Sequence, residues 1–210
     1  MLETARMRLL PWQPDDWLLL RPIGTDPQVM RYISDGKPWP DERIREFVGR
    51  QIGHFDRLGY CLWKLLHKDT SAMIGFCGLQ PLDGTAETEI GWWLARDSWG
   101  QGLATEAART VLQDGFERAG LARIVAVALV ANRASIHVME KLGMKYEREM
   151  IHGGFDVVLY AAGRPGQCFL EILRQRPRPV LARRRGALAF SAGRCRWLSG
   201  PRCCSEAVLS

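Results

Sequence analysis

The segment Trp99-Gly100-Gln101-Gly102-Leu103-Ala104 constrains this chain more than any other. It falls between Glu87 to Ala95, whose apolar residues alternate as in a strand, and Ala104 to Ala119, whose apolar residues have helical spacing. A strand must therefore turn through two glycines directly into a helix. Glycine accepts the backbone angles and the close approach that such a turn needs. The helix start then presents unpaired amides and the positive end of its dipole, which together form a pyrophosphate site without side-chain charge. An NTPase-type phosphate loop needs Lys before Ser or Thr, but Thr105 follows Ala104. A dinucleotide fingerprint needs a third glycine where Thr105 stands and an acid after the next strand, which here ends Leu129-Val130-Ala131-Asn132. Both readings are excluded.

Around this loop the pattern predicts a mixed α/β fold on one sheet. Arg6 to Leu10 reads as a first strand, with short helical turns from Pro14 to Leu20 and Gln28 to Ile33. Ile44, Phe47, Val48, Ile52, Phe55 and Leu58 recur at helical spacing, with Asp41 as the expected N-cap and Gly59 as the stop. Tyr60 to His67, Ala72 to Leu79 and Glu87 to Ala95 form an antiparallel meander. Arg123 to Val130 is a strand apolar on both faces, hence central. Ser135 to Leu142 is a short helix closed by Gly143, with Met144 folding back on Met139. Tyr146 to Ile151 and Phe155 to Ala161 make a hairpin around Gly153-Gly154.

Composition divides the chain in two. Residues 1–163 hold 19 Lys and Arg against 21 Asp and Glu, whereas residues 164–210 hold ten Arg against two Glu. The net charge of +6 therefore belongs to the tail. The expected domains are 1–163, one folded unit, and 164–210, an Arg-rich extension with little order. Nucleic acid is not expected to bind the core, although the tail arginines could meet phosphates. The longest apolar run, Ile124 to Ala131, is too short for a membrane span. With no signal-peptide pattern near Met1, a cytoplasmic location is expected. No Cys-x-x-Cys pair occurs and the four histidines are scattered, so no metal site is expected.

Several motifs in order carry a resemblance: Glu89-Ile90-Gly91-Trp92-Trp93-Leu94, Trp99-Gly100-Gln101-Gly102-Leu103-Ala104-Thr105-Glu106-Ala107, Asn132-Arg133-Ala134-Ser135, and Glu140-Lys141-Leu142-Gly143-Met144. They closely resemble the GNAT acetyltransferases, and within them the RimJ/RimL type, whose best-known members acetylate N-termini of ribosomal proteins. The resemblance covers about residues 3 to 161. It implies a mostly antiparallel central sheet flanked by helices, and acetyl-coenzyme A as acyl donor. It further implies cofactor contacts by Leu94, Trp99, Gly100, Gln101, Gly102, Leu103, Ala104, Thr105, Asn132 and Ser135. Leu94 would offer its backbone to the pantetheine arm, and Asn132 would bond the cofactor from the other side. Trp99 departs from the usual Arg or Gln at the head of the loop, as the RimJ/RimL-like branch commonly does.

Acetyl transfer to an amine requires a neutral nucleophile, a stabilised oxyanion and a leaving thiolate. An α-amine ionises near 7.7–8.0 and a lysine near 10.4, so an α-amine needs less help. Glu89 is the candidate base, with a salt-bridged surface Glu as the bland alternative and Glu87 as same-face competitor. Many GNAT members place a tyrosine acid where this chain has Met139. Ser135 is the substitute candidate, or else a helix N-cap; Tyr146 and Tyr160 are further options. Trp92, Trp93 and Trp99 are candidates for the acceptor pocket, with one of the adjacent pair in the core. The acceptor, a protein N-terminus or a small amine, is left open. So are a related protein that binds acyl-coenzyme A without turnover and a nucleic-acid-associated role through the tail.

Overall fold

A computed structural model describes residues 1–164, and the Arg-rich extension expected over 164–210 lies, from residue 165 on, outside the described residues. Eight strands form one sheet in the order β1-β2-β3-β4-β5-β6-β8-β7. β1 (Leu2–Glu3) and β2 (Met7–Leu10) precede two short helices, α1 (Trp17–Gly24) and α2 (Pro27–Met30). Then come α3 (Asp41–Leu58), β3 (Leu62–His67), β4 (Met73–Pro81), β5 (Thr88–Leu94), α4 (Leu103–Glu117), β6 (Arg123–Leu129), α5 (Arg133–Lys141), β7 (Lys145–His152) and β8 (Phe155–Gly163). β1 is too short and too polar at Glu3 to leave a sequence signal, and it was not expected. The expected meander is β3–β4–β5, antiparallel throughout. The closing hairpin β7–β8 turns at Gly153 and Gly154, whose φ values of 58° and 82° suit the tight turn that a two-residue hairpin demands.

One detail of α3 differs from expectation. Pro40, not Asp41, occupies the N-cap position, and Asp41 is the first helical residue. Proline's fixed φ suits the extended cap geometry seen there (φ −67°, ψ 156°), and the Asp41 carboxylate is drawn to Arg21 on α1 at 2.7 Å. The inward face of α3 buries Ile44, Phe47 and Val48, and continues through two polar side chains, Gln51 and His54. Phe47 packs against Trp12, Trp39, Phe76 and Trp93, an aromatic cluster that fixes α3 over β4 and β5. α3 meets the sheet through side chains, but β3 and β4 meet through backbone. A Cβ on Gly78 would lie 1.9 Å from the Cys61 carbonyl oxygen, so only glycine fits.

Seven consecutive residue pairs hold β5 to β4, and seven hold β6 to β8. Between β5 and β6, which run parallel, a single pair remains, Glu89 with Val125. Past that point the two strands separate, and the sheet is split from its middle toward the C-terminal ends of both. The β4–β5 ladder decides which groups face the split. Ala95 donates to the Ile74 carbonyl, so the peptide groups of Leu94 and, by alternation, Trp92 point away from β4. They point to where β6 has departed.

Candidate active site

The split is a continuous cleft with two ends. The larger end, about 350 Å³, runs from Trp92, Trp93 and Leu94 past Trp99 to Gly100 and residues 102–105, then to α5. The smaller end, about 190 Å³, reaches Glu89, Gln80 and Asp83 beneath the aromatic cluster. Both are walled by Tyr32, Ile33, Trp92, Trp93, Asn132 and Ser135, where the two ends meet.

At the larger end, Gly100 and Gly102 have φ of 72° and 75°, the left-handed conformation that the strand-to-helix turn requires. Gly102 is the N-cap of α4 and has no side chain to satisfy the first turn. The first helical bond runs from Glu106 to the Gly102 carbonyl, so the amides of Leu103, Ala104 and Thr105 have no acceptor within the helix. They line the cavity with the positive end of a 15-residue helix behind them. This is the chemistry of a site for phosphate oxygens.

Two side chains fix this loop. The Trp99 indole N–H donates to the Leu94 carbonyl at 2.8 Å while its ring stays 47% exposed. Of the Leu94 peptide groups, the carbonyl is thus committed within the loop, leaving the N–H for the cleft. Arg6, at the edge of β2, donates from Nε to Glu106 at 2.7 Å and from Nη1 to the Gln101 carbonyl at 3.0 Å. Its backbone N–H also donates to Glu106 at 3.0 Å. Burial pushes the Glu106 carboxyl up, but the Thr4 side chain, the Arg6 bonds and the Arg6 charge together hold it below its ordinary range. Gln101 turns inward on the loop, its side chain donating to the Asp97 carbonyl at 2.7 Å, and it does not line the cavity.

Across the cleft, Asn132 caps α5, its side-chain oxygen accepting from the Ser135 amide at 3.2 Å. The alternative reading of Ser135 as the cap of this helix is therefore corrected: α5 starts two residues earlier than periodicity indicates, at Arg133, and Asn132 takes the cap. Ser135 is half-buried on both cavity walls, and among the described residues its hydroxyl has no protein partner. Met139 is fully buried in the core and offers no hydroxyl to the cleft.

At the smaller end, burial pushes the Glu89 carboxyl up to about 7, a rise opposed by a hydrogen bond from Gln80 and assisted by the nearby Asp83 charge. The Gln80 bond is 2.6 Å. Its competitor Glu87 lies outside the cleft, in an ion cluster with the buried Arg123 at 3.1 Å, where Glu147 also binds at 2.6 Å. Tyr146 and Tyr160 pair edge to face on β7 and β8, 5.7 Å between ring centroids, and line neither end. Trp92 and Trp93 line both ends, Trp93 also stacking on Phe47. The residue that sequence reading missed is Tyr32, on the walls of both ends. Its only signal is its place in Val29-Met30-Arg31-Tyr32-Ile33, just after α2.

A parallel strand pair that splits beside a helix starting at a glycine, with one cleft along both, is the frame that the chain presents. Residues 6–145 match the family described as acetyltransferase (GNAT) domain, and the chain belongs to that family of acetyl-CoA-dependent N-acetyltransferases. YkkB of Bacillus subtilis is 34% identical over 163 residues, covering 76% of this chain and 93% of its own. The crystal structure of a GNAT-family acetyltransferase from Bacillus anthracis superimposes with a TM-score of 0.67 at 28% identity, over 77% of this chain and 97% of that one. The same fold is shared at 20% identity, TM-score 0.64, with RimL, a ribosomal L7/L12 alpha-N-protein acetyltransferase solved with coenzyme A, over 76% of this chain and 95% of RimL. Among the described residues no helix is long and apolar enough to cross a membrane, and no group of three His, Cys, Asp or Glu is placed to hold a metal ion.

Proposed function

We propose that the larger end of the cleft receives acetyl-coenzyme A, and that the smaller end receives a primary amine that attacks the thioester directly. The observation that carries this reading is the arrangement along one cleft: an uncapped helix start at one end, a carboxylate raised to about 7 at the other, and shared walls between them. The amides of residues 103–105 would hold the pyrophosphate. The Trp92 peptide and the Leu94 N–H would meet the pantetheine arm as an added strand edge. Asn132 and Ser135 face the same stretch. The donor supplies an activated acetyl group, and the protein supplies position and proton handling.

Glu89 is the base in this reading. A carboxylate near 7 lies about one unit below an α-amine and more than three below a lysine, so the match favours an α-amine, on a peptide N-terminus or a small molecule. The Ser135 hydroxyl would donate a hydrogen bond to the leaving thiolate, which departs without a strong acid, and Met139 is a thioether with no proton to give. The test is calorimetric binding of acetyl-coenzyme A, followed by acetylation of peptide α-amines against lysine side-chain amines. Micromolar binding with α-amine preference is expected. No binding by folded protein, or a preference for lysine side chains, would overturn the reading.

A further inference from the structure

The structure assigns Gln51 and Gln80 as positioning residues for Glu89: together they form a one-directional hydrogen-bonded chain that starts at a backbone amide and ends on one oxygen of the carboxylate. The inference rests on Glu89 being the base. The chain starts at the N–H of Leu62, which only donates, and it donates to Gln51 Oε1 at 2.9 Å. That turns the Gln51 amide nitrogen toward Gln80, and Gln51 Nε2 donates to Gln80 Oε1 at 3.1 Å. The Gln80 nitrogen is then forced toward β5, where Nε2 donates to Glu89 Oε1 at 2.6 Å. Gln80 and Glu89 are direct cross-strand partners, so the last link needs no reach.

Each amide in this series has two faces, and each orientation is dictated by the one before it. Reversing either glutamine would set carbonyl against carbonyl, or carbonyl against carboxylate. Gln51 is fully buried on the inward face of α3, next to Phe47 and Val48, a position where an amide is retained only with every partner in place. The chain has two consequences. It fixes one Glu89 oxygen and leaves Oε2 without a protein partner among the described residues, directed to whatever occupies the cavity. It also ends on a donor, which stabilises the charged form and offsets part of the burial that would otherwise hold Glu89 protonated. Neither glutamine titrates, so the proton Glu89 receives is not passed into the core.

The other charged and titratable groups on this end are Asp83 from the β4–β5 turn, Arg50 from α3, Tyr32 after α2 and His152 from the β7–β8 turn. His54 lies beside Asp83 and Arg50 on α3. Of these groups Asp83 shifts Glu89 through space, whereas Gln80 bonds it directly and Gln51 in turn bonds Gln80.

The experiment is carbon-13 NMR of full-length protein labelled at glutamate side-chain carboxyls, titrated from pH 4 to pH 10. Glu89→Gln identifies the Glu89 resonance by its loss. In the native chain its midpoint is expected near 7. Gln80→Met removes the donor and should raise the midpoint by about one pH unit. Gln51→Met leaves Glu89 untouched and should raise it by less, and the double variant should match Gln80→Met alone, because both act through one link. An unmoved midpoint in Gln51→Met, or additive shifts in the double variant, would overturn the chain. Undiminished peptide acetylation by Glu89→Gln would instead remove the base reading while the NMR shifts stood, so the two failures are distinguishable.

Discussion

Glu89→Gln should abolish acetylation and at the same time stabilise the protein, and the two effects have one cause. The fold raises this carboxyl from its ordinary 4.5 to about 7. At about 1.4 kcal/mol per pH unit, holding it ionised costs the native state up to about 3 kcal/mol, an upper figure because the side chain keeps some contact with the cleft. The direction follows from the raised value. Between pH 4.5 and 7 the native state binds this proton and the unfolded chain does not, so stability falls as pH rises through that window. Glutamine keeps the neutral shape and an oxygen for Gln80 to donate to, and it never ionises. The variant should therefore melt higher than the native chain at pH 8, on the order of 5 °C for a domain of this size. The gain should shrink as pH falls and disappear below 4.5. Scanning calorimetry across pH 4–9 measures it, alongside turnover, which should fall at least 100-fold. A melting difference that stays flat with pH, or a variant less stable at pH 8, would refute the burial argument.

Arg6→Ala should raise the KM for acetyl-coenzyme A about tenfold with little change in kcat, because it frees the Gln101 carbonyl and leaves the Glu106 carboxylate unpaired in the first turn of α4. Adding Glu106→Gln should recover part of that loss, and a double-mutant cycle on KM in which the second change makes matters worse would count against it. Gly102→Ala places the new methyl 3.9 Å from Arg6 Nη2, an ordinary contact, so its cost is that of the strained φ of 75°, about 1 kcal/mol of stability by denaturant titration, with weaker donor binding by calorimetry. Gly78→Ala is the opposite case, a methyl driven to 1.9 Å from the Cys61 carbonyl oxygen; chemical denaturation should show a loss on the order of 3 kcal/mol or failure to fold.

What the sequence made legible followed local rules. The meander, the two-glycine hairpin and the helix after Gly102 each have a period or a turn residue of their own. So did the glycine loop from Trp99 to Ala104, because its turn residues are consecutive. At the smaller end of the cleft, Glu89, Trp92, Trp93 and Ser135 were legible from their place in the motifs. Gln51, Gln80 and Tyr32 stand on three different elements, and nothing in their spacing joins them. Gln51 in particular interrupts an apolar helix face, which reads in sequence as an exposed position until Leu62 and Gln80 are seen on either side of it. Ser135 and Asp41 went wrong as caps for a related reason. Periodicity marks where apolar residues begin, but a helix starts where backbone geometry permits, which here meant Pro40 and Asn132.

The deeper dependence is of the site on a defect in the sheet. Parallel strands usually pair along their length, and β5 and β6 pair at one residue. β6 instead takes its full complement of partners from β8 on the far side, and β5 takes its own from β4. Each strand satisfies one edge and leaves the other edge open past Glu89. Open edges with unpaired peptide groups invite another strand. Here α4 and α5 start at the mouth of the opening, and their first turns carry Gly102 and Asn132 into it. In the proposed reading the unpaired edge of β5 receives the extended donor chain, and Glu89 sits at the last residue before the split. A substitution that let β5 and β6 zip further would remove the donor arm's edge and bury the base together. On that reading, donor binding and proton handling both depend on the same strand divergence.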